Sequence, residues 1–307
     1  MRRGRRIAVG GFVTLFSIII SSCNNSKDTS DDPSFVKAEL EWREARDQSM
    51  KSPTSWLTIA GLYWLDEGEN SFGTDPKNSF RLPEGAGPPF AGKFILRKDE
   101  VKVVSSAGAG LKNEGKTIKE MVLKSDKTGK PDIIELNDLR MWVIERGDRL
   151  AIRLRDLNVP RYKNYSSLEF FPPRKKYQVK ADFIVYNPPK TETLATEIGT
   201  ETNMVSLGYV KFQLNGKEYR LDAFESGSGS KTLFIIFKDE TSGKETYGAS
   251  RFMEARIFDD GSVDLNFNRA HNPPCAYTPY ATCPLPPSQN ILPVKIEAGE
   301  KIYKKEH

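Results

Sequence analysis

"LGYVKFQLNGKEYRLDAF", residues 207–224, decides the class of fold. Apolar and polar residues alternate on both sides of Asn215-Gly216, a dipeptide suited to the left-handed backbone of a two-residue hairpin turn. A period of two on each flank means a β-hairpin with one face destined for a core. The same pattern recurs outward in "KFILR" (93–97), "EVKVV" (100–104), "RMWVIER" (140–146), "RLAIRLR" (149–155), "YQVKADFIVY" (177–186) and "TLFIIF" (232–237). Gly147-Asp148 and Asp260-Gly261 supply two more turns. Arg146-Gly147-Asp148 spells an adhesion tripeptide, but a tight turn between alternating strands already accounts for it. One helix is expected near the start. Asp32 and Pro33 form a cap and first turn, Phe35, Ala38, Trp42 and Ala45 recur at helical spacing, and Pro53 ends it.

The first 22 residues have a basic start, "MRRGRR", and a short apolar run that ends in "SSC". That run is too short for a convincing membrane span. The arrangement resembles a bacterial lipoprotein signal, which implies lipidation of Cys23. The protein is then held in the cell envelope, at the outer membrane, on its periplasmic or surface side. Residues 23–34 are polar and read as a tether. The chain carries a formal charge of +5; loss of Arg2, Arg3, Arg5 and Arg6 with the signal takes it to +1. The basic balance therefore gives no support to a nucleic-acid partner. At 38% hydrophobic and 28% charged, the rest suits an ordinary globular protein with room for two domains.

The boundary between them is expected near "NVPRYKNYSSLEFFPPRKK" (158–176), dividing 35–157 from 158–307. The stretch from "GLYWLDEGENSFGTDPKNSFRLP" to "RLAIRLRD" resembles a forkhead-associated β-sandwich. Such domains read phosphothreonine with an Arg after a Gly and a later Ser-x-x-His. Thr74 follows Gly73 here, and neither histidine lies in this half, so phosphopeptide binding is not expected. The fold class is thus mostly β: an N-terminal helix, a forkhead-associated-like sandwich, and an antiparallel barrel or sandwich.

The unusual chemistry is concentrated in "VDLNFNRAHNPPCAYTPYATCPLPPSQN" (263–290). Val263, Leu265 and Phe267 alternate with Asp264, Asn266 and Asn268, so one face is apolar and one polar. The polar file lies on solvent or, with Arg251, Arg269, His271 and Tyr247, lines a pocket for a small polar ligand. The arginines are otherwise structural forks bonding loop carbonyls. The spacing imitates a calcium loop, but Arg269 stands where Gly is needed and Cys275 where Glu is needed. Cys275 and Cys283, flanked by prolines, read as a disulfide staple in an oxidising compartment. The competing readings are a zinc site with His271 and a His271–Cys275 nucleophile pair. C-x-x-C, H-E-x-x-H and Gly-x-Ser-x-Gly are absent, so neither a metal nor any other cofactor is expected.

Tyr247-Gly248-Ala249, Arg251-Phe252, Asn272 to Cys275, Cys283 to Pro287 and Ala298 to Lys301 together resemble the bacterial domain-of-unknown-function family 1684, over most of the chain from about residue 40. His271 stands where the family pattern has an aromatic tyrosine. The resemblance implies no activity. The function expected is non-enzymatic binding of a small polar or carbohydrate-like ligand. The alternatives are a hydrolase or metal-dependent enzyme using His271 with Cys275 and Cys283, and a structural envelope protein.

Overall fold

The computed structural model describes Met1, residues 32–227 and residues 229–304. The signal segment, Cys23 and most of the 23–34 tether lie outside the described residues. Among the described residues no helix is long and apolar enough to cross a membrane.

The helix runs Pro33–Met50, and the Asp32 side chain caps it by accepting from the Ser34 N–H at 2.9 Å. Its docking face differs from the expected one. Phe35, Glu39 and Met50 are buried, whereas Ala38 and Ala45 are exposed. Charged side chains help to fasten this helix to the body. Glu39 takes Arg269 at 3.1 Å, Arg46 reaches Glu300 at 2.8 Å, and Asp47 accepts from the Tyr165 hydroxyl and the Leu168 N–H.

Two sheets form the sandwich. One has six strands, in the order Ile59–Trp64, Arg149–Asp156, Leu139–Arg146, Ile134–Leu136, Lys112–Asn113, Lys116–Thr117. The other has five: Phe80–Arg81, Gly68–Gly73, Gly92–Arg97, Glu100–Ser105, Glu120–Leu123. Met141, Val143, Ile152 and Leu154 from the first sheet meet Phe72, Phe94, Val101 and Val103 from the second in one buried core.

The second half closes into a six-stranded antiparallel barrel: Gln178–Ala195, Glu201–Leu214, Lys217–Glu225, Thr232–Phe237, Arg251–Ile257 and Ser262–Asn266. The last strand pairs with the first, Leu265 opposite Val179, and the closure leaves no open edge. Asn215 (φ 51°) and Gly216 (φ 75°) form the expected hairpin turn. Val210, Phe212, Leu221, Leu233, Met253 and Val263 fill the interior, so the barrel is packed rather than hollow.

Two features join the halves. The strands Gln178–Ala195 and Glu201–Leu214 run on past their barrel pairing as a long hairpin, with Lys190 to Ala195 opposite Ser206 to Glu201. The chain after Asn266 then wraps the barrel as a strap. It bridges His271 to Phe252, Pro284 to Thr196 and Ile291 to Lys238. Asn290 pins it: its Oδ1 accepts from the Asp222 N–H, and its Nδ2 donates to the carbonyls of Asp222 and Ile236.

Candidate functional site

The polar file of residues 264, 266 and 268 does not line a cavity, which corrects the expectation from its alternation. Val263 and Leu265 occupy the barrel interior, which turns Asp264 and Asn266 outward. Asp264 accepts from Gln178 Nε2 at 3.0 Å on the neighbouring strand. Asn266 Nδ2 donates to Glu39 on the helix, and its Oδ1 accepts from the N–H and amide of Asn268. Asn268 in turn exchanges hydrogen bonds with the Arg174 backbone. Arg269 grips Glu39. These groups have protein partners, as buried polar groups require.

Arg251 is fully buried. It donates to Asp239 Oδ1 at 3.0 Å and to the carbonyls of Ile296 and Ala298. Burial lowers its pKa, and the Asp239 carboxylate works against that. Gly299 (φ 78°) follows, where a Cβ would fall 2.3 Å from the Ala270 carbonyl oxygen, so only glycine fits. Glu300 is buried next to it and accepts from Arg46, Tyr277 and the Asn272 N–H. Ala298 to Glu300 and Arg251 thus form a fastening that holds strap, helix and barrel together.

His271 is partly buried. Its Nδ1 lies 3.3 Å from the Arg269 carbonyl and its ring sits edge-on to Phe252. Burial, then the nearby Arg46 charge, lowers its pKa. Among the described residues no three His, Cys, Asp or Glu side chains are placed to hold a metal. Cys275 and Cys283 are buried free thiols here, so the expected disulfide is not formed in this structure. They lie side by side: each backbone N–H donates to the other's sulfur, at 3.1 and 3.3 Å. Hydrogen bonding with Cys275, then burial, raises the Cys283 pKa well above the ordinary thiol range. Tyr247 donates to Glu197, and burial raises its pKa, reinforced by that hydrogen bond.

The side chains that do gather lie at the seam between sandwich and barrel. Arg140, Trp142, Ile144 and Arg146 share the outer face of one strand. Arg149, Ala151, Arg153 and Arg155 share it on the next, with Arg153 opposite Trp142 and Arg149 opposite Arg146. Opposed residues point to the same side of a sheet, so five arginines occupy one face. Arg149 stacks on Trp64 at 4.3 Å, Arg153 on Trp56 at 5.4 Å and Arg155 on Trp142 at 5.1 Å. The strap crosses this face: Arg146 donates to Thr282 Oγ1 and Arg153 to the Tyr280 carbonyl.

At the open end of the seam the 146–149 turn, with Gly147 at φ 61°, faces the tip of the long barrel hairpin. Between them lies a cleft of about 430 Å³ lined by Trp64, Arg146, Asp148, Arg149, Thr193 and Thr200, with Glu201, Thr202 and Asn203 completing the wall. Thr193 Oγ1 donates to Asn203 Oδ1 at 2.7 Å across the hairpin, which orients that amide. Among the described residues, Asn203 Nδ2 and the Thr202 hydroxyl have no protein partner. The cleft offers a ring, two guanidiniums, hydroxyls, an amide and carboxylates at the hairpin tip. Of the expected site residues none lines it. The signal for it was in the sequence, in the shared parity of Arg149, Arg153 and Arg155 on one strand and of Arg140 and Arg146 on the other.

The model of a family described as "Protein of unknown function (DUF1684)" matches residues 163–301, which hold the barrel, the strap, and the Arg251 and Glu300 fastening. The chain belongs to this family. The match begins at residue 163 rather than near residue 40, so it leaves out the sandwich. The chain is similar to an uncharacterized protein of Haloarcula marismortui solved by NMR, with 34% identity over 47% of this chain and 80% of that one and a TM-score of 0.40. It is also similar to a forkhead-associated domain studied for phosphothreonine-dependent interactions (17% identity, 31% of this chain and 92% of that one, TM-score 0.23). A third similar structure is the FhaA forkhead-associated domain complexed with the intracellular domain of Rv3910 (17% identity, 31% and 97%, TM-score 0.22). No curated protein matches the chain.

Proposed function

We propose that this protein is a lipid-anchored envelope protein that binds a small polar, carbohydrate-like ligand in the cleft between the 146–149 turn and the barrel hairpin. One observation carries this reading: at the hairpin tip Thr193 and Asn203, hydrogen-bonded across the hairpin with the Asn203 Nδ2 left over, line one cleft with the Trp64–Arg149 stack. A flat aromatic and guanidinium layer beside fixed hydroxyl and amide groups suits a ligand with an apolar ring face and a polar rim. The volume fits a molecule of sugar size, not a protein segment. The anchor is Cys23, ten residues before the helix starts at Pro33. A tether of that length keeps the body within about 35 Å of the lipid surface.

Calorimetric titration of the full chain in detergent with monosaccharides, their methyl glycosides and their acids tests this. Binding by wild type and its loss in Thr202→Trp, which fills the cleft, is the expected result. Binding that survives Thr202→Trp, or no binding across the panel, sets the reading aside.

A further inference from the structure

The arginines along the seam are poorly neutralised. Arg146 is paired with Asp126 at 2.7 Å and Arg140 with Glu135 at 3.4 Å. Among the described residues Arg149, Arg153 and Arg155 have no carboxylate partner, and neither does Arg161 from the short helix Pro160–Lys163. Arg153, Arg155 and Arg161 each leave a buried Nε without a hydrogen bond. Their remaining nitrogens find only main-chain carbonyls, those of Tyr280, Thr54 and Ile59. Arg153 is the extreme case, with 3% of its surface exposed and a single 3.5 Å contact to a carbonyl.

A buried cation is ordinarily paired with an anion, because removing it from water costs several kcal/mol. Burial, then the Arg146 charge, pushes the Arg153 pKa down to about 10, and the Asp126 carboxylate works against them. Arg153 lies four residues along the strand from Arg149 on the same face, and Arg146 is the charge that acts on it most strongly. The cleft sets Arg146 and Arg149 against Asp148 and Glu201, and Asp126 pairs with Arg146 from outside it, so the lining itself carries no excess of positive charge. The unpaired guanidiniums of Arg153, and of Arg155 and Arg161 beyond it, supply the excess positive charge of the seam, and its poorly solvated walls carry their field toward the cleft.

Given that the cleft binds a ligand at all, we infer that this ligand is an oxyanion-bearing molecule of sugar size, carrying a carboxylate or a phosphate. Its anionic group sits at the Arg146–Arg149 end, and Arg153 acts on it through the field from farther along the same face. Arg153 is a positioning charge rather than a contact residue. Its cost to the fold is recovered when the anion arrives.

The test compares galacturonate, galactose 6-phosphate and neutral methyl galactoside against the full chain, by calorimetry at matched ionic strength and pH 7. Arg153→Met and Arg153→Lys are measured alongside, with thermal unfolding of each. One or both acids should bind at least about tenfold tighter than the neutral glycoside. Arg153→Met should erase most of that preference while unfolding at the wild-type temperature or higher, and Arg153→Lys should retain it. Which acid binds identifies the anion as carboxylate or phosphate. If the neutral glycoside binds as tightly as both acids, the inference is overturned and the cleft reading stands. The inference also fails if Arg153→Met unfolds well below wild type, since the buried charge would then be stabilising as it is. If no saccharide binds, or binding ignores Thr202→Trp, the cleft reading falls and the inference with it.

Discussion

Replacing Asp239 with Asn should destabilise the protein by about 3–5 kcal/mol, the range for leaving one member of a buried ion pair alone. Asp239 and Arg251 have no exposed side-chain surface, and their atoms are 3.0 Å apart. At an effective dielectric near 20, two unit charges at that distance attract by about 5 kcal/mol, so the range is of the right order. Asp239 also accepts from the Thr241 hydroxyl at 2.8 Å and from the Ile296 N–H at 2.7 Å. Both carboxylate oxygens are therefore occupied by donors. Asn has nearly the same shape, but its NH2 must face one of them. The guanidinium meanwhile keeps its burial and loses its counter-charge. Urea unfolding at pH 7, followed by tryptophan fluorescence, measures the loss as a lower midpoint at unchanged slope. A loss below 1 kcal/mol would refute the view that this pair clamps the strap to the barrel, and would reopen Arg251 as a ligand-binding group.

Three further outcomes are expected. His271 is held below its ordinary pKa of 6.5, so the unfolded chain takes up a proton as the pH falls through about 6.5 while the folded chain does not. Stability is then full above that pH and declines below it; urea midpoints from pH 7.5 to 5.5 should fall in wild type and stay flatter in His271→Tyr, and equal slopes would contradict this. In reduced protein at pH 8, iodoacetamide should leave Cys275 and Cys283 unmodified until urea is added, because both are buried and the Cys283 thiol is held protonated; labelling of native Cys283 would show the thiols to be accessible. Mass analysis of protein from the producing bacterium should find an acylated Cys23 at the N-terminus, and a first residue at 24 or later would remove the lipid anchor.

Strand alternation and Asn215-Gly216 were enough to read a β protein from the sequence, because a two-residue period and a left-handed turn are local properties. The site was harder to read for a different reason. "VDLNFN" shows that the strand has a polar face but not what covers it; Glu39, more than 200 residues away in the chain, is what Asn266 meets. The helix misled in the same way. Phe35, Ala38, Trp42 and Ala45 make a plausible apolar stripe, yet the docking face follows Glu39, Arg46 and Asp47, whose partners lie on the strap and near residue 165. "RMWVIER" and "RLAIRLR" were legible as strands one at a time. Their arginines become a single charged face only once Trp142 is known to sit opposite Arg153.

Hydrogen exchange of the full chain, with and without a saturating concentration of the tightest ligand among galacturonate, galactose 6-phosphate and methyl galactoside, tests the location of the site most directly. Slowed exchange is expected in two separated segments, 146–149 and 193–203, with the barrel strands from 232 onward unchanged. Protection confined to the 263–290 strap, or to the barrel surface around Tyr209 and Arg220, would contradict it.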